Sequence, residues 1–266
     1  MSAERSDPEV RLRREPPRFR RVAVSRVEDL TPRMRRIVLA GPELDGMDVA
    51  EPAASVRVLL PRPDGTLELP TWTGNQFELA DGSRAPIRTF TPRDHDPDAN
   101  RLTIDIVAHG DGAASEWAAS ATPGDQVAVS GPGRGYEPDP DTNSFLLAGD
   151  ESAIPAIDQL LEAIARDLAP QTEVSVLIEV AHPSARLTLH GGPATTITWL
   201  DLPDGAAPGS ELLGAIERAD EMPEAVWVAG EAAAMQRIRK HLFDQRGLSR
   251  AQATVRGYWK LGRSAT

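Results

Sequence analysis

The chain contains no cysteine. That excludes disulfide bridges, thiol nucleophiles and cysteine-ligated iron–sulfur clusters. Any redox chemistry must therefore come from a cofactor that needs no thiol. Lysine is almost as scarce, with only Lys240 and Lys260. Positive charge as a whole is in deficit, 29 Lys and Arg against 40 Asp and Glu, for a net charge of −11. A general nucleic-acid surface is not expected on such a chain. If it handles an anionic substrate, a local basic patch must do the work. The five histidines are scattered without a His-x-x-x-His spacing, so no metal site is expected. No run of 18 apolar residues occurs, so no membrane insertion is expected. The first 21 residues mix arginines with acids around no apolar centre, which is unlike a secretory signal. This reading places the protein in the cytoplasm.

What is present is 266 residues, 40% of them hydrophobic, enough for one large domain or two small ones with a real core. Residues 1–16 are charged and poor in large apolar groups, and read as a disordered tail. From residue 17 to 135 the pattern is β. Short candidate strands at 20–25, 34–39, 55–60, 88–93, 101–107 and 126–130 are separated by Pro- and Gly-containing turns. Six short strands with one helical interruption at 113–120 predict a six-stranded antiparallel barrel. Residues 136–142 read as a linker. From 143 to 266 strands and helices alternate, which predicts an α/β domain with a parallel sheet.

Four stretches carry chemistry. Arg88-Thr89-Phe90-Thr91-Pro92-Arg93 sets an aromatic and two hydroxyls between two guanidinium forks. A planar ring attached to a phosphate would suit that set; an edge strand with solvated arginines is the plainer alternative. Gly112-Ala113-Ala114-Ser115 follows a strand and opens a helix, where unpaired backbone N–H groups favour a phosphate. Arg93 could close over the same diphosphate. Gly149-Asp150-Glu151-Ser152 and Ala229-Gly230-Glu231 each end a strand of the second domain, where a nicotinamide nucleotide would dock. No Gly-x-Gly-x-x-Gly fingerprint occurs there. Asp150 and Glu151 would repel a pyrophosphate unless they face away or cap the helix. Arg186 could meet a 2′-phosphate.

These stretches occur in order with His109-Gly110-Asp111-Gly112-Ala113-Ala114-Ser115-Glu116-Trp117 and the closing Gly257-Tyr258-Trp259-Lys260-Leu261-Gly262-Arg263. Together they resemble the siderophore-interacting proteins, FAD-dependent ferric-siderophore reductases of the ferredoxin-reductase-like superfamily. The resemblance spans roughly residues 17 to 263. Phe90 stands where the family's flavin motif usually has tyrosine, so ring stacking is kept and a phenol hydrogen bond is not. The resemblance implies FAD held by Arg88, Thr89, Phe90, Thr91, Arg93, His109, Gly112, Ala113, Ala114 and Ser115. It implies NADH or NADPH near Gly149, Asp150, Ser152, Gly230 and Glu231, and a lid over the flavin from Tyr258 or Trp259. Thr91 is the candidate for tuning the flavin by a hydrogen bond. Arg57, Arg134 and Lys260 are placed around the exposed flavin edge as a basic groove for a ferric siderophore. A ferredoxin stays open as electron donor. A general flavin reductase with another acceptor and a non-enzymatic siderophore-binding module are the alternatives.

Overall fold

The computed structural model describes residues 18–62, 64–74, 76–108 and 112–262. The expected tail at 1–16 and His109 lie outside them. The chain enters through an antiparallel pair, β1 (Arg20–Thr31) and β2 (Met34–Ala40). Then come β3 (Val56–Leu59), a short hairpin of β4 (Thr71–Trp72) and β5 (Phe77–Glu78), β6 (Ile87–Phe90), β7 (Pro92–Asp96) and β8 (Arg101–Val107). Helix α1 (Ala113–Ser120) leads into β9 (Gln126–Ser130). Seven of these strands form one antiparallel sheet in the order β6-β3-β9-β1-β2-β8-β7.

β6 and β7 are the two end strands of that order, yet only Thr91 separates them in the chain. The sheet therefore curls until its ends meet, and Thr91 is the corner. Six strands were expected and the sheet has seven, because 88–93 is the end of one strand and the start of the next. Pro92 explains the break, since it has no N–H to extend the β6 ladder. Alternation places one face of each strand in the barrel: Val22 and Val24, Ile37 and Leu39, Leu102, Ile104 and Ile106 share one buried cluster. Trp117 and Ala118 of α1 pack against it.

Residues 131–143 have no regular structure but are fastened down. The Gly135 N–H donates to the Glu51 carboxylate at 2.8 Å and the Tyr136 N–H to the Pro52 carbonyl at 2.8 Å. The second half runs β10 (Ser144–Asp150), α2 (Ile154–Asp167), β11 (Glu173–Val180), β12 (Thr195–Asp201), α3 (Ser210–Glu217), β13 (Ala225–Glu231), α4 (Ala232–Lys240) and β14 (Ala253–Trp259). α4 runs on into a π-helical turn, His241–Gln245. The five strands are parallel, in the order β12-β11-β10-β13-β14. Central β13 is buried at every position and reads as a nearly unbroken apolar run, as a strand covered on both faces should. Ile154, Ile157, Leu160, Leu161 and Ile164 give α2 its buried stripe. Met34, Ala53 and Val107 of the barrel join that core, so apolar packing continues across the junction.

Candidate functional site

The corner at Thr91 faces the carboxyl edge of the parallel sheet, and the two halves of the molecule meet there. Register fixes which side chains point where. Phe90 lies opposite Val56 and Arg88 opposite Val58, both valines buried, so Phe90 and Arg88 share the inward face. Thr89 lies opposite Arg57, and both are exposed. Phe90 packs against the barrel core. Arg88 is partly buried, and its guanidinium donates only to the carbonyl of Ile87, at 3.0 Å. No carboxylate among the described residues pairs with it. Burial alone pulls its pKa below the ordinary guanidinium value. A partly desolvated cation without a counter-charge is costly by itself and well suited to an incoming anion.

Helix α1 packs against β8 and β2. Its first bond runs from the Glu116 N–H to the Gly112 carbonyl at 2.9 Å, and among the described residues no side chain caps its N-terminus. Gly112 has φ +148°, a conformation side chains disfavour, and a Cβ there would meet nothing within 4 Å. Ala113 and Ala114 are partly exposed at the opening. Ser115 differs from the expectation. It is buried and its hydroxyl donates back to the Val107 carbonyl at 3.4 Å, so it stitches helix to strand.

Arg93 also departs from its expected role as a diphosphate contact. It follows the corner, where alternation turns it toward α2. It donates to Asp158 at 2.6 Å and to Glu162 at 2.6 Å. Burial pulls its pKa down, and the bonds to Glu162 and Asp158 lift it above the ordinary guanidinium range. His190 shares the same carboxylates, with Nδ1 at 3.0 Å from Asp158. Asp158, Glu162 and His190 are close enough to hold a cation, and the cation that occupies them is Arg93. Arg186, read as a 2′-phosphate contact, is likewise engaged by both oxygens of Asp201 at 2.6 Å.

Thr91 is 7% exposed, and its hydroxyl donates to the Tyr258 phenol oxygen at 3.4 Å. The group expected to tune the flavin instead ties the barrel corner to β14. Tyr258 packs edge-on to Trp227, ring centroids 6.2 Å apart, and burial raises its pKa. It packs, partly buried, against the core at the junction. The Trp259 indole N–H donates to Asp150 Oδ2 at 2.7 Å. Asp150 also accepts the Glu231 N–H at 2.8 Å, the Ser152 N–H at 2.9 Å and the Ser152 hydroxyl at 2.5 Å. Gly149, Asp150, Ser152, Gly230 and Glu231 are thus brought together at the ends of β10 and β13, with Asp150 hydrogen-bonded to Ser152 and Glu231. Both glycines are demanded by packing: a Cβ on Gly149 would lie 2.4 Å from Ala153 Cβ, and one on Gly230 2.6 Å from Asp150 Oδ2.

Arg57, Arg134 and Lys260 are exposed and, among the described residues, form no ion pair. An open groove of about 700 Å³ on the outer barrel wall contrasts with them. Each arginine lining it has its own acid: Arg26 with Glu28, Arg36 with Asp105, Arg93 with Asp158, and Arg101 with Asp96. That groove has no spare positive charge, and Arg57, Arg134 and Lys260 lie outside it. Sequence reading passes over the residues that lock the halves together. The Arg33 Nη2 meets Glu151 at 3.1 Å, and Arg256 donates to the carbonyls of Ala53 and Gly135. The Gln159 amide oxygen accepts the Ala53 N–H at 3.0 Å. The one signal for such a role was Asp158, a carboxylate in the apolar stripe of α2.

A curled antiparallel sheet followed by a five-stranded parallel sheet defines the two-domain fold of the ferredoxin-reductase type. A solved structure described as the ferredoxin reductase in carbazole 1,9a-dioxygenase shares the fold, with a TM-score of 0.66 at 13% identity over 93% of this chain and 70% of that one. Within that class, residues 23–136 match the family model described as the siderophore-interacting FAD-binding domain, and residues 142–262 that of the siderophore-interacting protein. The chain belongs to the siderophore-interacting protein family. It is 31% identical over 243 residues to the NADPH-dependent ferric-chelate reductase of Escherichia coli, covering 91% of this chain and 93% of that one. A siderophore utilization protein from T. fusca superposes with a TM-score of 0.81 at 34% identity, over 95% of this chain and 96% of that one. FAD is the cofactor of the first domain. Arg88 and the uncapped start of α1 fit its diphosphate, and Phe90 offers the aromatic surface.

Proposed function

We propose that this protein is an FAD-dependent reductase that passes electrons from NADH or NADPH to the iron of a ferric siderophore complex, releasing it as Fe(II) in the cytoplasm. The observation that carries the reading is Arg88, a partly buried guanidinium with no carboxylate partner, set beside an aromatic ring in a chain of this family. Bound FAD supplies the conversion between two-electron and one-electron transfer. The protein's residues bind and orient. Arg88 and the N–H groups opening α1 hold the diphosphate, with Gly112 leaving the approach open. Thr89 points to the opposite, exposed face of β6, beside Arg57. Thr91 with Tyr258 ties the two domains at the junction, and Asp150 with Trp259 ties β10 to β14 within the second. Arg57, Arg134 and Lys260 draw an anionic iron complex toward a protein whose net charge opposes it. The ferric-chelate reductase relative supports both the donor and the acceptor.

The test is direct. The purified protein should bind FAD, and anaerobic NADH or NADPH should bleach the flavin absorbance. A ferric siderophore should then restore it, with Fe(II) trapped by a ferrous chelator. A protein that cannot be reconstituted with FAD overturns the reading. Rapid reduction by nicotinamide without any response to ferric siderophores would leave a general flavin reductase in its place.

A further inference from the structure

In an open α/β sheet, phosphates of a dinucleotide dock in the crevice where strand order reverses, against free helix N-termini. Here the reversal lies at β10, with β11 on one side and β13 on the other. Asp150 ends β10 and its carboxylate spans that crevice to the Glu231 N–H of β13. Its four donors are the N–H and hydroxyl of Ser152, the Glu231 N–H and the Trp259 indole. They fill both oxygens and work against the burial that raises the Asp150 pKa. The neighbouring helix starts are taken as well. Glu179 of β11, 3% exposed, accepts the Gly209, Glu211 and Leu212 N–H groups at the head of α3. Glu231 accepts the Ala234 N–H at the head of α4. Asp150 and Glu179 are register partners on adjacent strands. Among the described residues, none of Asp150, Glu179 and Glu231 forms an ion pair.

We propose that Asp150 is a specificity-determining residue: it occupies the phosphate position of the crevice and, with Glu179 behind it, keeps the donor's diphosphate outside, so that the nucleotide is recognised through its nicotinamide end. The proposal rests on the reading that NAD(P)H is the electron donor. It makes a prediction opposite to that for a phosphate-binding crevice, where changing a crevice residue weakens nucleotide binding.

The experiment uses the FAD-loaded protein and calorimetric binding of two oxidised ligands, NADP⁺ and the phosphate-free nicotinamide riboside. Taking the ratio of the two affinities cancels any general loosening of the junction. Asp150→Asn should raise the affinity for NADP⁺ relative to the riboside about tenfold, since like charge is removed from the phosphate path. Glu179→Gln, which leaves every donor to Asp150 in place, should shift the ratio the same way by a smaller factor. This second variant keeps the test open if the first does not fold. A ratio that is unchanged, or that falls, in the variants that fold overturns the proposal. If dithionite reduces the flavin while NADH and NADPH do not, the donor reading falls and takes this inference with it. If NADPH reduces the flavin and the ratio does not move, only the inference falls.

Discussion

Arg88 and Arg93 are five positions apart, of one residue type, and on either side of a corner. The residue scale separates them by company. Arg88 has a neighbouring carbonyl and no acid; Arg93 has Asp158 and Glu162. Arg88→Ala should therefore lower FAD affinity about ten- to a hundredfold, the worth of one or two charge-assisted bonds. Thermal stability of the FAD-free protein should hold or rise, because an unpaired buried charge is removed. Arg93→Ala should do the reverse. It strands Asp158, 6% exposed, without its cation, at a cost of about 3 kcal/mol, while FAD affinity of the folded protein changes little. Flavin fluorescence titration and urea denaturation of both variants check the pair. Equal effects of the two substitutions on FAD affinity would contradict the assignment. Sequence alone cannot make this distinction, because the alternation rule assumes one strand and the chain bends between the two arginines. Nothing in Thr91 or Pro92 announces that the next residue will face α2, 65 positions further on.

At the scale of elements, much is legible because periodicity is a local property. Leu102, Ile104 and Ile106 alternate, and β8 is where they predict a strand. Ile154, Ile157, Leu161 and Ile164 recur with the helical repeat, and α2 follows. Caps supplied from distant strands are not legible. Glu179 reads as one acid near the end of a strand, yet it closes α3, 30 residues later, through three backbone N–H groups. Burial pushes its carboxyl above the usual carboxylate range, and those three bonds work against the shift. A raised native pKa means that the folded state binds the proton more tightly than the unfolded state does. Its contribution to stability is fully present below the unfolded carboxylate value, near pH 4.3, and is lost as pH rises through the folded pKa. Glu179→Gln should abolish that portion of the pH dependence. Urea midpoints of the two proteins measured from pH 4 to pH 8 should converge at low pH if the Gln variant keeps the cap, and their separation should change across the interval. Parallel curves would show that Glu179 does not titrate differently in the folded protein.

The whole molecule carries −11, and the exposed Arg57, Arg134 and Lys260 must act against that field. Lys260→Glu should raise the KM for an anionic ferric siderophore about fivefold at low salt, an effect of the size expected for one exposed charge pair. Added salt should narrow the gap between variant and wild type as the Debye length shrinks. Reduction of the flavin by NADPH should change far less than turnover of the iron complex. An unchanged KM for the anionic complex would remove Lys260 from the docking surface. Composition shows the need for such a patch, but three exposed side chains drawn from β3, the linker and the chain's end cannot be grouped from sequence, since no short-range pattern joins them.

The meeting of β6 and β7 at a single residue has a dynamic consequence. Each of these strands is laddered on one side only, β6 to β3 and β7 to β8. The barrel is thus a cylinder with an unzipped seam, and the seam runs through the residues assigned to the flavin. Backbone amides along it should trade hydrogen for deuterium sooner than those of β1 and β2 at the centre of the ladder. Loading with FAD should slow that exchange at 87–90 and around the start of α1, while the distant face of the parallel sheet keeps its own rate. In mass-spectrometric exchange the cofactor would register as the missing rung of a ladder, closing a cylinder that the polypeptide alone leaves open along one line.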